Sequence, residues 1–159
     1  MYTGKARWLA TLGALAACGG GSDGSIDADN GSILGPTPTL YTETGTSAYM
    51  APEATGYTLD PAGIRISGTS ASAGATDYFE LARGTATRVD VQAFVNGTKQ
   101  SEANSVAMIA LDNAGDGYSA LRGNGYFIRA TIDTAATYVL SISIGPADAS
   151  YTLEMRPSD

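Results

Sequence analysis

The chain has 159 residues, 43% hydrophobic and 16% charged, with 20 Gly, 6 Pro, no His and one Cys, a composition that fits one small globular domain. Without histidine there is no Ser-His-Asp triad, Cys-His dyad, His-ligated zinc or haem, or imidazole proton shuttle, and a lone cysteine excludes an internal disulfide and a thiolate zinc site. A formal net charge of −7 with nine Lys plus Arg argues against a nucleic-acid partner, whose phosphate backbone is bound by clustered cations.

The first seven residues, MYTGKAR, carry only positive charge, at Lys5 and Arg7, and lead into an apolar run over residues 8–17. That is the layout of a signal peptide, and the run is too short to cross a hydrocarbon core of about 30 Å as a helix. It closes on Leu15-Ala16-Ala17-Cys18, followed by Gly19. This resembles the lipobox of bacterial lipoproteins: an apolar residue, two small ones, then the cysteine that is acylated. The resemblance implies cleavage before Cys18, a diacylglyceryl thioether on its sulfur, and a membrane anchor of two or three acyl chains, which holds where one would not. Gly19 lacks the acidic side chain of the inner-membrane retention rule, which implies sorting to the outer membrane. The alternative is an ordinary secretory signal with a chance cysteine. Loss of residues 1–17 removes Lys5, Arg7 and Trp8, leaving seven basic and sixteen acidic residues, a net −9 and no tryptophan.

Residues 19–36, GGGSDGSIDADNGSILGP, offer only Ile26, Ile33 and Leu34 for burial, so residues 18–36 are expected to be the lipidated cysteine and a flexible tether. A Gly-rich coil of about 18 residues reaches roughly 23 Å. Asp27-Ala28-Asp29-Asn30-Gly31 misses the EF-hand order by one residue and has no closing Glu, so it reads as tether.

Residues 37–159 are predicted to form the folded domain. The segment from Thr39 to Asp60 scatters Tyr41, Tyr49, Met50 and Tyr57 among Thr, Ser, Gly and Pro, and is expected to supply one edge strand and a loop across the domain. Beyond it the dominant period is two. Ile64 and Ile66 flank Arg65, and Phe79 and Leu81 flank Glu80. Val89, Val91, Ala93 and Val95 alternate with Arg88, Asp90, Gln92 and Phe94. Tyr126, Ile128, Ala130 and Ile132 alternate with Phe127, Arg129, Thr131 and Asp133. Tyr138, Leu140, Ile142 and Ile144 repeat the pattern, and Tyr151, Leu153 and Met155 complete it. One apolar face per strand, with no helical stripe, predicts an all-β domain. Residues 106–111 are apolar on both parities, which predicts a central strand buried on both faces. Asn96-Gly97 and Asn124-Gly125 supply the positive φ angles of tight hairpins, and residues 112–117, DNAGDG, form a third turn cluster. Seven or eight such strands predict an antiparallel two-sheet β-sandwich.

The order of pieces from residue 64 to residue 156 resembles the bacterial pre-peptidase C-terminal domain. The pieces are Ile64-Arg65-Ile66-Ser67-Gly68, then Asp77-Tyr78-Phe79-Glu80-Leu81, Gly84 with the Val-rich residues 88–95, residues 108–115 ending in an Asp-Asn-x-Gly turn, Thr137-Tyr138, and Tyr151-Thr152-Leu153. The resemblance implies a β-sandwich of jelly-roll type and a noncatalytic module, with collagen and calcium binding among relatives in bacterial collagenases. Two departures stand out. Ser105-Val106-Ala107-Met108 replaces the paired acids that members often carry, which weakens the case for metal, and Ala136 stands where Gly usually precedes the Thr-Tyr strand.

Three groups of residues carry functional expectations. Cys18 is the acylation site. Asp112, Asn113 and Asp116 are candidate calcium ligands, since a turn of acids and amides supplies hard oxygens, although the same residues stabilise turns by local hydrogen bonds. Tyr78, Phe94, Tyr118 and Phe127 fall outside the inward parity, or in loops, and are candidates for a partner-binding aromatic patch. Catalysis is not expected. Glu80, Asp90, Asp133 and Glu154 lie on the polar parity and should face water as isolated carboxylates rather than a glycosidase pair, and Lys99 beside Ser101 lacks the desolvation a Ser-Lys nucleophile needs. No cofactor is required, calcium being the ion to test. The expected function is a noncatalytic, lipid-anchored module of the bacterial cell envelope, at the outer membrane, that binds a protein or envelope polymer. The alternative is a calcium-dependent adhesion or matrix-binding domain, and a carbohydrate-binding module ranks behind both.

Overall fold

A computed structural model describes residues 31–114, 121–132 and 137–158. Residues 1–30, with Cys18, and Asp116, Tyr118 and Asp133 lie outside them. Eleven strands run in the order β1 (Thr39–Thr42), β2 (Glu53–Thr58), β3 (Ile64–Thr69), β4 (Thr76–Ala82), β5 (Arg88–Val95), β6 (Thr98–Lys99), β7 (Ala107–Asn113), β8 (Leu121–Gly125), β9 (Phe127–Thr131), β10 (Thr137–Ile144) and β11 (Ser150–Pro157). One sheet is ordered β1-β3-β11-β5, with β6 and β9 sharing the far edge of β5, and the other is β2-β4-β10-β7-β8.

Eight of these strands make a jelly roll. β3, β11, β5 and β9 lie side by side in the first sheet, β4, β10, β7 and β8 in the second, and every pairing among them is antiparallel. The chain changes sheets at almost every connection, the double Greek key of that architecture. The two added edge strands depart from the antiparallel expectation: β1 pairs with β3, and β2 with β4, in parallel. The segment from Thr39 to Asp60 thus supplies two edge strands, one to each sheet, rather than one. Parallel pairing follows from entering both sheets alongside strands that run the same way.

The alternating apolar residues meet between the sheets. Ile64, Ile66, Phe79, Val91, Leu111 and Leu140 are all fully buried there, and each such side chain contributes about 1.5–3 kcal/mol relative to exposure. Among the described residues every strand lies between Thr39 and Pro157, so a chain beginning after residue 17 retains the core they form. Asn96 and Gly97 both have positive φ, 48° and 74°, and close the β5–β6 hairpin as their sequence predicts.

Three expectations are corrected. Asn124-Gly125 is not a hairpin turn: only Gly125 has positive φ, and the chain steps there from β8 in the second sheet to β9 in the first. The strand buried on both sides is β5, which is covered from Val89 to Val95, whereas β7 leaves Met108 59% exposed and residue Val106 before it is exposed too. Asp90 and Glu154 occupy the outward parity but are buried. Parity decides the face of a sheet, and loops decide whether that face meets water.

Candidate functional site

The outer face of the first sheet is built from cross-strand rows. Arg65, Glu154, Gln92 and Phe127 stand in one row on β3, β11, β5 and β9; Arg156, Asp90 and Arg129 stand in the next. Glu154 is wholly buried and takes bonds from Arg65 Nε (3.1 Å) and Nη2 (2.8 Å), from Ser32 Oγ (3.0 and 2.9 Å to its two oxygens) and from the Ile33 amide (2.9 Å). A buried carboxylate persists only when paired and hydrogen-bonded in this way. Residues 31–36, at the end of the tether sequence, therefore lie on the sheet: the Gly35 amide donates to Ala62 O (3.0 Å) and Lys99 Nζ to Gly31 O (3.1 Å). Asp90 accepts two parallel bonds from Arg129, at 2.8 and 2.7 Å. That guanidinium, opposed by burial and helped by Arg156, holds the Asp90 carboxyl below its usual range.

The loop after β6 completes the cover. Gln92 Nε2 donates to Ala93 O (2.9 Å), Gln100 O (3.0 Å) and Tyr126 O (3.3 Å), while the Val106 amide donates to Gln100 Oε1 (2.8 Å). Phe94 sits in this covered zone, opposite Lys99 on β6 and Thr152 on β11, and is 0% exposed. It cannot join a surface aromatic patch. The outward parity is as predicted, but the face above it is occupied.

A second polar group closes the mouth between the sheets. Tyr41 on β1 donates to Glu53 Oε1 on β2 (2.7 Å), which also accepts from the Thr44 amide (2.7 Å) and hydroxyl (2.5 Å). Burial pushes Glu53 up, but these bonds outweigh it and hold the group below its usual range. Burial, with the Glu53 carboxylate beside it, raises the Tyr41 phenol to about 12. Deeper in, Tyr151 Oη donates to Glu43 Oε2 (3.2 Å), which also takes the Thr69 amide (3.1 Å). Burial raises Glu43 and Asp77, and burial together with those two carboxylates raises Tyr151 strongly. The Tyr41, Phe79 and Tyr151 rings stack in sequence behind them, with centroids 6.4 and 6.5 Å apart. The group joins β1 and β2 across the open side of the sandwich.

The outer face of the second sheet is different. Its outward residues on β4, β10 and β7 include Tyr78, Ser141 and Ala110 in one row and Thr76, Ser143 and Met108 in the next. No Lys or Arg occurs on these three strands. Small side chains make the face flat, and Tyr78, packed edge-to-face on Tyr49 at 5.9 Å, is its large aromatic. Tyr78 and Phe127 are thus on opposite sides of the sandwich and do not form one patch.

Asp112 is outward on β7, beside Val139 on β10. It is 2% exposed, its Oδ1 has no hydrogen-bond partner, and burial raises its carboxyl. Asn113 follows on the opposite face of the strand, and its Oδ1 accepts from Arg122 Nε (3.2 Å). The structure thus separates two of the three candidate calcium ligands, and among the described residues no three Asp, Glu, Cys or His side chains are grouped to hold a metal. Sequence could not have identified the Glu154 and Asp90 pairs as buried, although an isolated acid among apolar neighbours on a central strand was the available sign.

No family model and no curated protein matches the chain. Among solved structures it is similar to the pre-peptidase C-terminal domain of collagenase from Bacillus anthracis, at 14% identity over 76% of this chain and 97% of that one, with a TM-score of 0.45. It is also similar to PliG from Aeromonas hydrophila, a periplasmic inhibitor of g-type lysozyme, at 11% identity over 77% of this chain and 100% of that one, with a TM-score of 0.47.

Proposed function

We propose that the protein is a noncatalytic, lipid-anchored binding module of the bacterial cell envelope, held in the outer membrane through an acylated Cys18 and presenting the outer face of its second sheet, most exposed at Met108, to a protein or envelope-polymer partner. The observation that carries this reading is the attachment of residues 31–36 to the first sheet, through Glu154, Ala62 and Lys99. A chain that leaves the domain on that side turns the opposite face, with Tyr78, Met108 and Ser141, away from the anchor. Twelve residues, 19–30, separate Cys18 from the domain, a reach of roughly 19 Å for a Gly-rich coil. Confinement to that distance raises the module's effective concentration for neighbours in the envelope. The test places a photo-crosslinking residue at Met108 or at Thr131 in the full-length protein in its native envelope. Adducts to one protein or polymer at Met108 but not Thr131 support the reading; equal adducts at both sites, or none at Met108, refute it. Anchoring is tested separately by fractionation, since Cys18→Ser releases an anchored protein from the membrane pellet.

A second reading rests on Asp112. Its buried, unpartnered Oδ1 is the kind of oxygen a calcium ion binds, and an ion there would need further oxygens from outside the described residues, such as Asp116. Calcium would then fix the end of β7 in an adhesion or matrix-binding surface. Asn113 does not fit this set, because its amide oxygen is turned to Arg122.

A further inference from the structure

We infer that the outer face of the first sheet is a docking surface for an anionic phospholipid bilayer, which lays the domain flat on the membrane with its second sheet outward. The reasoning is electrostatic. Outside residues 1–17 the chain has seven cations, and five of them, Arg65, Arg88, Lys99, Arg129 and Arg156, stand on this one face of β3, β5, β6, β9 and β11. The carboxylates in the same rows are Asp90 and Glu154, both buried and both bonded to an arginine. Glu102, exposed in the loop after β6 over this face, is a third acid, so a chain of net −7 still carries a face with five cations against three carboxylates. The excess lies at the rim: Arg88 and Lys99 are exposed, and the Arg129 side chain, although bonded to Asp90, is 57% exposed. Arg129 also lies over the Phe127 ring, 5.8 Å from its centroid. Residues 31–36, the end nearest the anchor, leave from this same face.

An acyl anchor and a basic patch are the two signals that together hold a protein on a membrane. The inference rests on the anchored reading only for the local concentration that brings the face to the lipid. The tether sequence carries Asp23, Asp27 and Asp29, which oppose the attraction, so the preference is measured with them present. A net excess of about two charges near an anionic surface favours the face-down orientation by roughly thirty-fold.

The experiment uses residues 18–159, which keep every strand, with Cys18 coupled through its thiol to a maleimide lipid. The anchor is then fixed chemically, and the outcome does not depend on whether the cell acylates Cys18. These residues contain no tryptophan, so Thr131→Trp reports the first face and Met108→Trp the second, read by quenching from headgroup-labelled nitroxide lipids. In phosphatidylcholine vesicles containing phosphatidylglycerol, strong quenching is expected at Thr131→Trp and little at Met108→Trp, with the difference removed by high salt or by pure phosphatidylcholine. Adding Arg88→Gln and Lys99→Gln should remove most of the orientation preference, while Arg83→Gln with Arg122→Gln, which lowers the net charge equally at positions off these rows, should leave it unchanged. Equal quenching of the two tryptophans, or the same result in both lipids, overturns the inference, as does an equal loss with the second pair of substitutions.

Discussion

Replacing Glu154 by Gln removes one charge from a more enclosed ion pair than that of Asp90 and Arg129 and changes little else in shape. Wild-type Glu154 takes two bonds from Arg65, whose side chain is only 12% exposed, along with Ser32 Oγ and the Ile33 amide. Breaking a buried pair by removing one partner costs about 3–5 kcal/mol, because the remaining ion is left in a poor environment. Gln retains one acceptor oxygen for the strap, so the lower end, about 3 kcal/mol, is expected. For a domain of this size that lowers Tm by roughly 12 °C, at about 4 °C per kcal/mol. The assay is a thermal or urea melt of residues 18–159 and of Glu154→Gln, alongside a cycle of Glu154→Leu, Arg65→Met and the two together. The double replacement should recover to within about 1 kcal/mol of wild type, since an apolar pair of similar volume can substitute for a buried ion pair. It should not recover the strap: Ser32 and Ile33 lose their acceptor, and a nonspecific protease should cut within residues 31–38 faster than in wild type. A Glu154→Gln protein within about 1 kcal/mol of wild type would refute the reasoning, showing that Arg65 finds water or another partner at no cost.

Phe94→Ala should lose about 3–5 kcal/mol, the cost of emptying a buried aromatic site, whereas an exposed Phe94 would lose almost nothing; a urea melt decides. Gly84 has φ +62°, and a Cβ there would lie 2.6 Å from Leu59 O, so Gly84→Ala should cost about 1–3 kcal/mol by backbone strain alone, read in the same melt. With rising alkalinity, the folded state keeps the Tyr41 proton from the ordinary 10.0 up to about 12. Stability should therefore be intact below pH 10 and fall as pH climbs from there toward 12, since the unfolded chain releases that proton first; tyrosinate absorbance appearing together with loss of structure checks this, and a Tyr41→Phe protein should lose part of the dependence. Millimolar calcium should raise the Tm of residues 18–159 by several degrees if Asp112 binds the ion, and Asp112→Asn should abolish the shift; an unchanged Tm with and without chelator ends the calcium reading.

Alternation carried the fold because each strand's inward residues are named by parity alone. Ile64 and Ile66, Phe79 and Leu81, the four residues from Val89 to Val95, and Tyr151 with Leu153 all point where period two places them. What parity could not convey is cover. Phe94, Asp90 and Glu154 have the outward parity of surface residues, yet residues 31–36 and the loop after β6 fold back over them through Ser32, Gln92 and Gln100. Those bonds join residues as far apart as Ser32 and Glu154, and no local window contains both. Met108 shows the converse, since its apolar run predicts burial and no loop arrives to provide it. Asn124-Gly125 failed for a related reason: the dipeptide permits a sharp turn, but whether the next strand pairs back or crosses to the other sheet depends on the partners β5 and β7 already hold.

The same distinction between a local property and an assembled one governs the charge. A net −7 is a sum over the whole chain, and it weighs correctly against a polyanion that must be gripped from several sides. A bilayer meets only one side. Alternation on β3, β5, β9 and β11 sends Arg65, Arg88, Arg129 and Arg156 to a common face, and the hairpin at Asn96-Gly97 adds Lys99 to it by placing that residue opposite Phe94. Of the acids, Asp90 and Glu154 are buried and committed, Asp60, Glu80 and Asp148 lie off those rows, and Glu102, exposed in the loop that covers the face, offsets one cation. An acidic protein therefore presents a basic side, and that side is the one on which residues 31–36 are held. Placement of the cations is set by strand register, and two of them help hold the strap, Lys99 through Gly31 O and Arg65 through Glu154. On the inference above, the coincidence of cations and strap on one face orients the domain on a membrane and turns the rows of Tyr78, Ser141 and Met108, bordered by Glu80 on β4, toward a partner.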